Sequence, residues 1–258
     1  MLTKEAVIEV LQKKDVVEAV FFTGSYGAGN QTNNSDLDLV IILRKNTDYL
    51  RSVYTWIDGM FADVFFFEHD DLKRIREASV TPANSMDGIL ITWLSKASVA
   101  FDKDGLTTAL AQDKELPNRL HPTDQEKRDW WQQVNYNLVT NTRYYNANTD
   151  VYREALGLRL LYSTSQLVNC FLALRDIAWR GEKEAFAYIK ENSQAFFNSY
   201  LQFQASTSIE DKFAAYKSMT DHVFPEGYTI WTLGTVVVNG KEGTRGQKST
   251  TTWEGLIS

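Results

Sequence analysis

Two carboxylates stand two residues apart in the stretch SDLDLVIIL: Asp36 and Asp38, each followed by leucine. In a strand, residues i and i+2 share a face, so both acids point one way while Leu37 and Leu39 turn into a core. Carboxylates this close repel, and one of them keeps its proton unless something compensates. A divalent cation is the natural compensator. Mg²⁺ in particular takes one or two carboxylates and lets waters and substrate phosphates complete its octahedron. Asp63, a lone acid in the apolar run MFADVFFF, supplies a third candidate ligand. Upstream, another apolar run breaks at Gly24-Ser25. Glycine there permits backbone angles closed to other residues and a close approach by phosphate. Ser25 and the amides after it can donate to phosphate oxygens. Asp pairs also occur at strand starts, and NNSD is ordinary turn material. Gly-Ser, ten residues, Asp-Leu-Asp-Leu and then Asp63 is a more specific set, and it points to phosphoryl or nucleotidyl transfer.

The elements that must hold these residues follow from periodicity. Residues 3–14 read as an amphipathic helix, VVEAVFFTG and Asp36–Leu43 as strands, MFADVFFF as a third strand and ASVAFDKDG as a fourth. Helices are expected over 47–58, 70–78 and 105–113. Strands alternating with helices imply an α/β (α+β) domain with a mixed sheet over residues 1–116. From 117 the pattern changes. A proline-bearing linker leads to a helix capped at Thr123 or Asp124, followed by helical stretches over 124–146, 151–179, 182–200 and 207–221, which read as a bundle. In the tail, VVVNGKEG has an Asn-Gly turn and reads as a terminal hairpin, completing a second domain over 117–258.

TGSYGAGNQTNNSDLDLVI resembles the active-site motif of the DNA polymerase β-like nucleotidyltransferase superfamily. ADVFF is similar to its third-carboxylate strand, and VAFDKDG to the strand and turn that often close the catalytic domain. The resemblance covers roughly residues 1–115. The helical second half and the length are similar to the small antibiotic nucleotidyltransferases of the kanamycin and lincosamide type. The resemblance implies that Asp36 and Asp38 bind Mg²⁺, in a two-metal site that carries ATP or another nucleoside triphosphate. Gly24 and Ser25 would hold its phosphates with help from Ser35. Asp63 would be the third ligand or the base that activates an acceptor hydroxyl. The hydroxyl would then receive a nucleoside monophosphate with release of pyrophosphate. Several members place an arginine after Gly-Ser, where this chain has Ala28, so the expected cation becomes Arg44, Lys45 or Lys96. Two alternatives stay open: an adenylyltransferase that modifies a protein, and a non-catalytic nucleotide-binding or antitoxin-like module.

Composition narrows the partners. The chain has 258 residues and a net charge of −6. Residues 1–116 hold 12 Lys and Arg against 18 Asp and Glu, while the rest balance at 15 of each. An acidic chain without a basic cluster is poorly suited to gripping long nucleic acid. The expected partners are therefore a nucleoside triphosphate and a small hydroxyl-bearing acceptor; the drug-modifying relatives also admit a homodimer. No apolar run reaches the roughly 18 residues of a membrane span. The single cysteine, Cys170, makes a cytoplasmic location the default and lies at helical spacing in an apolar segment, as a buried bystander would. Glu154 and Asp176 read as solvated helix acids, His69 as a histidine just past the third strand. Trp130, Trp131, Tyr136, Tyr144 and Tyr145 could line a ligand wall or pack a core.

Overall fold

Mixed sheet and helical region follow one another along the chain as expected, in two compact units, Met1–His121 and Pro122–Ser258. The computed structural model describes residues 2–29, 31–32, 35–231 and 256. The expected hairpin at VVVNGKEG lies outside the described residues.

In the first unit, strands β1 (Val17–Phe22), β2 (Leu37–Leu43), β3 (Ser52–Ile57), β4 (Met60–Glu68) and β6 (Ser98–Asp102) form one sheet in the order β3-β4-β2-β1-β6. β2 and β4 run parallel; the other neighbours are antiparallel. Helix α1 (Lys4–Gln12) covers one face. Its Val7, Ile8 and Leu11 pack on Leu39, Ile41 and Val64, and Val7 also meets Leu37, Ile57 and Ala62. On the opposite face Phe65 and Phe67 pack on Trp93 of α4 (Met86–Leu94), with centroids 4.4 and 6.0 Å away. Between these elements lie α2 (Gly24–Gly27), α3 (His69–Glu77), the short β5 (Thr81–Pro82), α5 (Leu106–Gln112) and β7 (Leu120–His121), which pairs with β5.

Two expectations are corrected in this unit, and one helix was not expected. Residues 47–58 do not form a helix: β3 and β4 make a hairpin around Asp58 and Gly59, whose φ angles of 52° and 76° are those of the tight turn that Asp-Gly favours. The segment SVYTWI is β-branched and aromatic, suiting a pleated surface more than a helix. The region after 116 is not simply a linker, since residues 116–119 form a 3-10 turn and β7 still belongs to the first unit. Helix α4 went unread because MDGILITWL is apolar almost throughout and shows no amphipathic period.

The second unit contains α6 (Asp124–Ala147), α7 (Asp150–Ala173), α8 (Glu182–Asn192), α9 (Gln194–Ala205) and α10 (Ile209–Val223). α6 begins in a capping box, Thr123 accepting from the Glu126 amide while the Glu126 carboxylate accepts from the Thr123 amide. Leu156, Leu160, Leu167 and Phe171 fall on the buried side of α7, as their spacing requires. The single helix expected over 182–200 is two, separated at Ser193, whose φ of −152° and ψ of 78° are not helical.

Candidate active site

The site starts from the sheet register. β2 and β4 pair in parallel with Asp38 directly beside Asp63, and Asp36 immediately precedes β2. One ligand atom from each of Asp36, Asp38 and Asp63 can be chosen so that all lie within 4.8 Å of one another. These three are the one such cluster among the described residues. Around them the core residues Leu37, Leu39, Ala62 and Val64 face the other way.

Electrostatics show what the cluster lacks. Asp38 is pushed up from the usual 3.8 to about 6, first by burial and then by the charges of Asp36 and Asp63. Asp63 is raised by burial and by Asp36. Asp63 Oδ1 is buried and has no hydrogen-bond partner among the described residues. An all-oxygen donor set, close-packed, mutually repelling and with one orphaned buried oxygen, fits a hard divalent cation such as Mg²⁺. Its affinity is expected to depend on pH. Below about 6 Asp38 takes a proton that a cation must displace, so Mn²⁺ affinity should fall by about fivefold from pH 6 to 5. Titration calorimetry with Mn²⁺ at pH 7.5, 6 and 5 measures this; a constant affinity would remove Asp38 from the ligand set.

Next to the carboxylates, β1 delivers the Gly-Ser turn. The Thr23 amide donates to the Asp38 carbonyl at 3.0 Å, and the Thr23 hydroxyl donates to the Trp93 carbonyl at 2.9 Å, fixing where the strand ends. Gly24 follows at φ +59°, so close to Asp38 that a Cβ there would lie 2.1 Å from Asp38 Oδ2. The Ser25 hydroxyl is buried and, among the described residues, finds no hydrogen-bond partner. Gly27 is tightly packed: a Cβ there would meet the Lys96 carbonyl oxygen at 2.1 Å.

Other expected contributors separate into near and far. Ser35 accepts a hydrogen bond from the Thr32 amide at 2.9 Å, within its own loop. The Lys96 main chain packs against Gly27, and Lys4 Nζ lies 4.9 Å from the centre of the Tyr26 ring in the same short helix. Arg44 and Lys45 do not join the site. They follow the far end of β2, roughly 20 Å along the strand from Asp38, and Arg44 pairs with Glu18 at 2.6 Å. His69 likewise follows the far end of β4 and pairs with Asp104 at 2.5 Å.

In the second unit, Trp130, Trp131, Tyr144 and Tyr145 pack against the bundle core, while Tyr136 is exposed. Asp176 pairs with Lys127 at 3.0 Å and Glu154 is exposed. Cys170 is fully buried, and burial pushes its thiol up to about 12, unsuited to a nucleophile. One set of residues was missed altogether. Tyr54, Trp56 and Phe61 stand on the β3–β4 hairpin, Tyr54 directly opposite Asp63. The Asp58-Gly59 dipeptide was the signal that could have found them.

With that geometry in place, comparison with known proteins is informative. Residues 5–85 match the family model described as Polymerase beta, Nucleotidyltransferase, and the first unit thus carries a polymerase β-like nucleotidyltransferase domain. Among solved structures, a nucleotidyltransferase-like protein from Exiguobacterium sibiricum 255-15 is similar at 12% identity and a TM-score of 0.45, over 83% of this chain and 70% of that one. No curated protein matches the chain. The acidic cluster is consistent with the divalent-metal site typical of such domains. No helix among the described residues is long and apolar enough to cross a membrane.

Proposed function

We propose that the chain is a metal-dependent nucleotidyltransferase that moves a nucleoside monophosphate, AMP from ATP, onto a hydroxyl of a small molecule. The observation that carries this reading is the register of β2 on β4. It sets Asp38 beside Asp63 with Asp36 alongside, next to a glycine turn whose missing side chain lets the Asp38 carboxylate lie against the backbone.

Asp36, Asp38 and Asp63 would hold Mg²⁺. When bound, the cation offsets the phosphate charge and polarises the reacting phosphoryl group. The chain's own residues do the rest. The backbone amides of the Gly24-Ser25 turn and the Ser25 hydroxyl, which has no hydrogen-bond partner among the described residues, donate to phosphate oxygens. The acceptor oxygen forms a bond to the α-phosphorus as the bond to the bridging oxygen breaks and pyrophosphate leaves. Asp63 takes one of two roles: it is the third ligand of the cation, in which case the hydroxyl proton passes to water, or, with the cation held by Asp36 and Asp38 alone, it is the base that takes that proton. Ser35, beside Asp36 in sequence, would help hold the phosphates.

The acceptors to try first are aminoglycosides and lincosamides, on the resemblance of length and helical second half alone. The test is pyrophosphate release from each nucleoside triphosphate with Mg²⁺ across those drugs, with Asp38→Asn as the blank. Release that depends on an acceptor and vanishes in the blank is the expected result. Release that persists in the variant would refute the site. Binding of Mg²⁺ and nucleotide without release on any drug would redirect the search to protein and metabolite acceptors.

A further inference from the structure

The β3–β4 hairpin carries an aromatic surface that the fold does not use. Tyr54 is 63% exposed, Trp56 65% and Phe61 42%. They are not scattered. Tyr54 and Trp56 lie two apart on β3, paired across the strands with Asp63 and Phe61, so all three rings share the face that carries Asp63 and Asp38. The Tyr54 and Phe61 rings are parallel to within 2° at 6.2 Å, and Trp56 stands edge-on to Phe61 at 5.8 Å. Cross-strand aromatic pairs steady a hairpin. That does not account for leaving a tryptophan and a tyrosine open to water on an edge strand, where charged residues are the usual protection. A contiguous exposed apolar cluster marks a binding surface.

Its position in the sheet indicates what binds. Reading across the order β1-β2-β4-β3, the glycine turn comes first, then Asp36 and Asp38, then Asp63, then the aromatic rings. Each step is about 4.8 Å. In-line displacement at phosphorus puts the attacking oxygen opposite the leaving pyrophosphate. With the pyrophosphate end of the nucleotide at Gly24 and Ser25, the attacking hydroxyl arrives from the Asp63 side. The next surface outward on that side is the aromatic hairpin.

We infer that Tyr54, Trp56 and Phe61 form the acceptor subsite, and that the acceptor is a hydroxyl compound with a flat C–H-rich or aromatic face. Such a face, a sugar ring for example, lies against the rings while its hydroxyl reaches Asp63. This rests on the nucleotidyl-transfer reading given above. The rings set acceptor position and specificity; the nucleotide binds without them.

The experiment uses the full chain labelled with 5-fluorotryptophan, the Trp56 resonance being assigned by its absence in Trp56→Thr, a change that keeps a β-branched residue in the strand. The protein is titrated first with Mg²⁺ and α,β-methylene-ATP, then with methyl β-D-glucopyranoside, 2-phenylethanol and propan-1-ol in turn. The expected result is that the nucleotide analogue leaves the Trp56 signal in place, while the sugar or the aryl alcohol moves it saturably and propanol does not. Tyr54→Thr should weaken that response by about tenfold, the loss of one good ring contact, and change calorimetric affinity for the nucleotide analogue by less than about twofold. A signal moved by nucleotide alone, or by neither flat probe, overturns the inference. So does a dimer in ultracentrifugation that Trp56→Thr turns into monomer, which would give the surface to a second copy of the chain. Failure of the analogue to bind wild type, with no difference from Asp38→Asn, would instead sink the nucleotidyl-transfer reading.

Discussion

Asp38→Asn is expected to silence nucleotidyl transfer and, in metal-free protein, to make the fold more stable. The first effect follows from losing a ligand at the centre of the cluster: about 10³-fold or more, as when several kcal/mol of charge stabilisation are removed. The second follows from the proton balance. Native Asp38 holds its proton up to about pH 6, whereas the unfolded chain releases it near the ordinary 3.8. Between those values the native state binds more protons, so stability falls as pH rises through that window and stays lower above it. Asparagine has no charge to bury and escapes the fall. Its advantage should be near zero below pH 4 and about 1–2 kcal/mol above pH 6, allowing for solvent screening of a half-buried group. Thermal melts in EDTA at pH 4 and 7 measure it. Excess Mg²⁺ should then stabilise wild type and leave the variant where it was, reversing their order. A variant less stable than wild type at pH 7 in EDTA would mean that burial and the neighbouring charges do not destabilise the ionised Asp38.

How much of this was readable beforehand varies with the range of the interaction. Asp36 and Asp38 were legible because a two-residue period is local, and Asp63 because an acid in a run of phenylalanines has little other reason to be there. Their meeting was not legible. Asp38 and Asp63 are neighbours because β2 pairs in parallel with β4 while the intervening strand lies beyond β4, and no local pattern states that order. Residues 47–58 read as a helix because Thr47 could cap one, and Leu50, Val53 and Ile57 fall at helical intervals. The strand preference of Val53, Tyr54, Thr55 and Trp56, with a turn at Asp58-Gly59, outweighs that spacing once β4 is available to pair with. The cost of the misreading was functional as well as structural, for it hid the rings beside Asp63. Arg44 and Lys45 were near the aspartates in sequence, and a seven-residue strand carried them to the other end of the sheet.

Replacing Gly24 with alanine should damage the site more than the fold. Two effects act there and a second glycine separates them. At φ +59° an L-residue is disfavoured by about 1–2 kcal/mol. Gly29, at φ +69°, should suffer the same strain on conversion to alanine, but nothing lies within 4 Å of its added Cβ. At Gly24 the new methyl would sit 2.1 Å from Asp38 Oδ2, so either the carboxylate rotates away from Asp36 and Asp63 or the start of α2 shifts. Rotation breaks the ligand cluster; a shift displaces the backbone amides and the Ser25 hydroxyl that the proposed reading assigns to phosphate. Either way Gly24→Ala should lose about 10²-fold or more in transfer, the scale seen when reacting groups are misplaced by about 1 Å. Its Mn²⁺ affinity should fall if Asp38 has moved, and its nucleotide affinity if the turn has. Gly29→Ala should melt earlier by a similar amount yet keep most of its activity. Equal losses of activity in the two variants would attribute the effect to backbone strain alone, and the contact between Gly24 and Asp38 would then have no part in holding the site open.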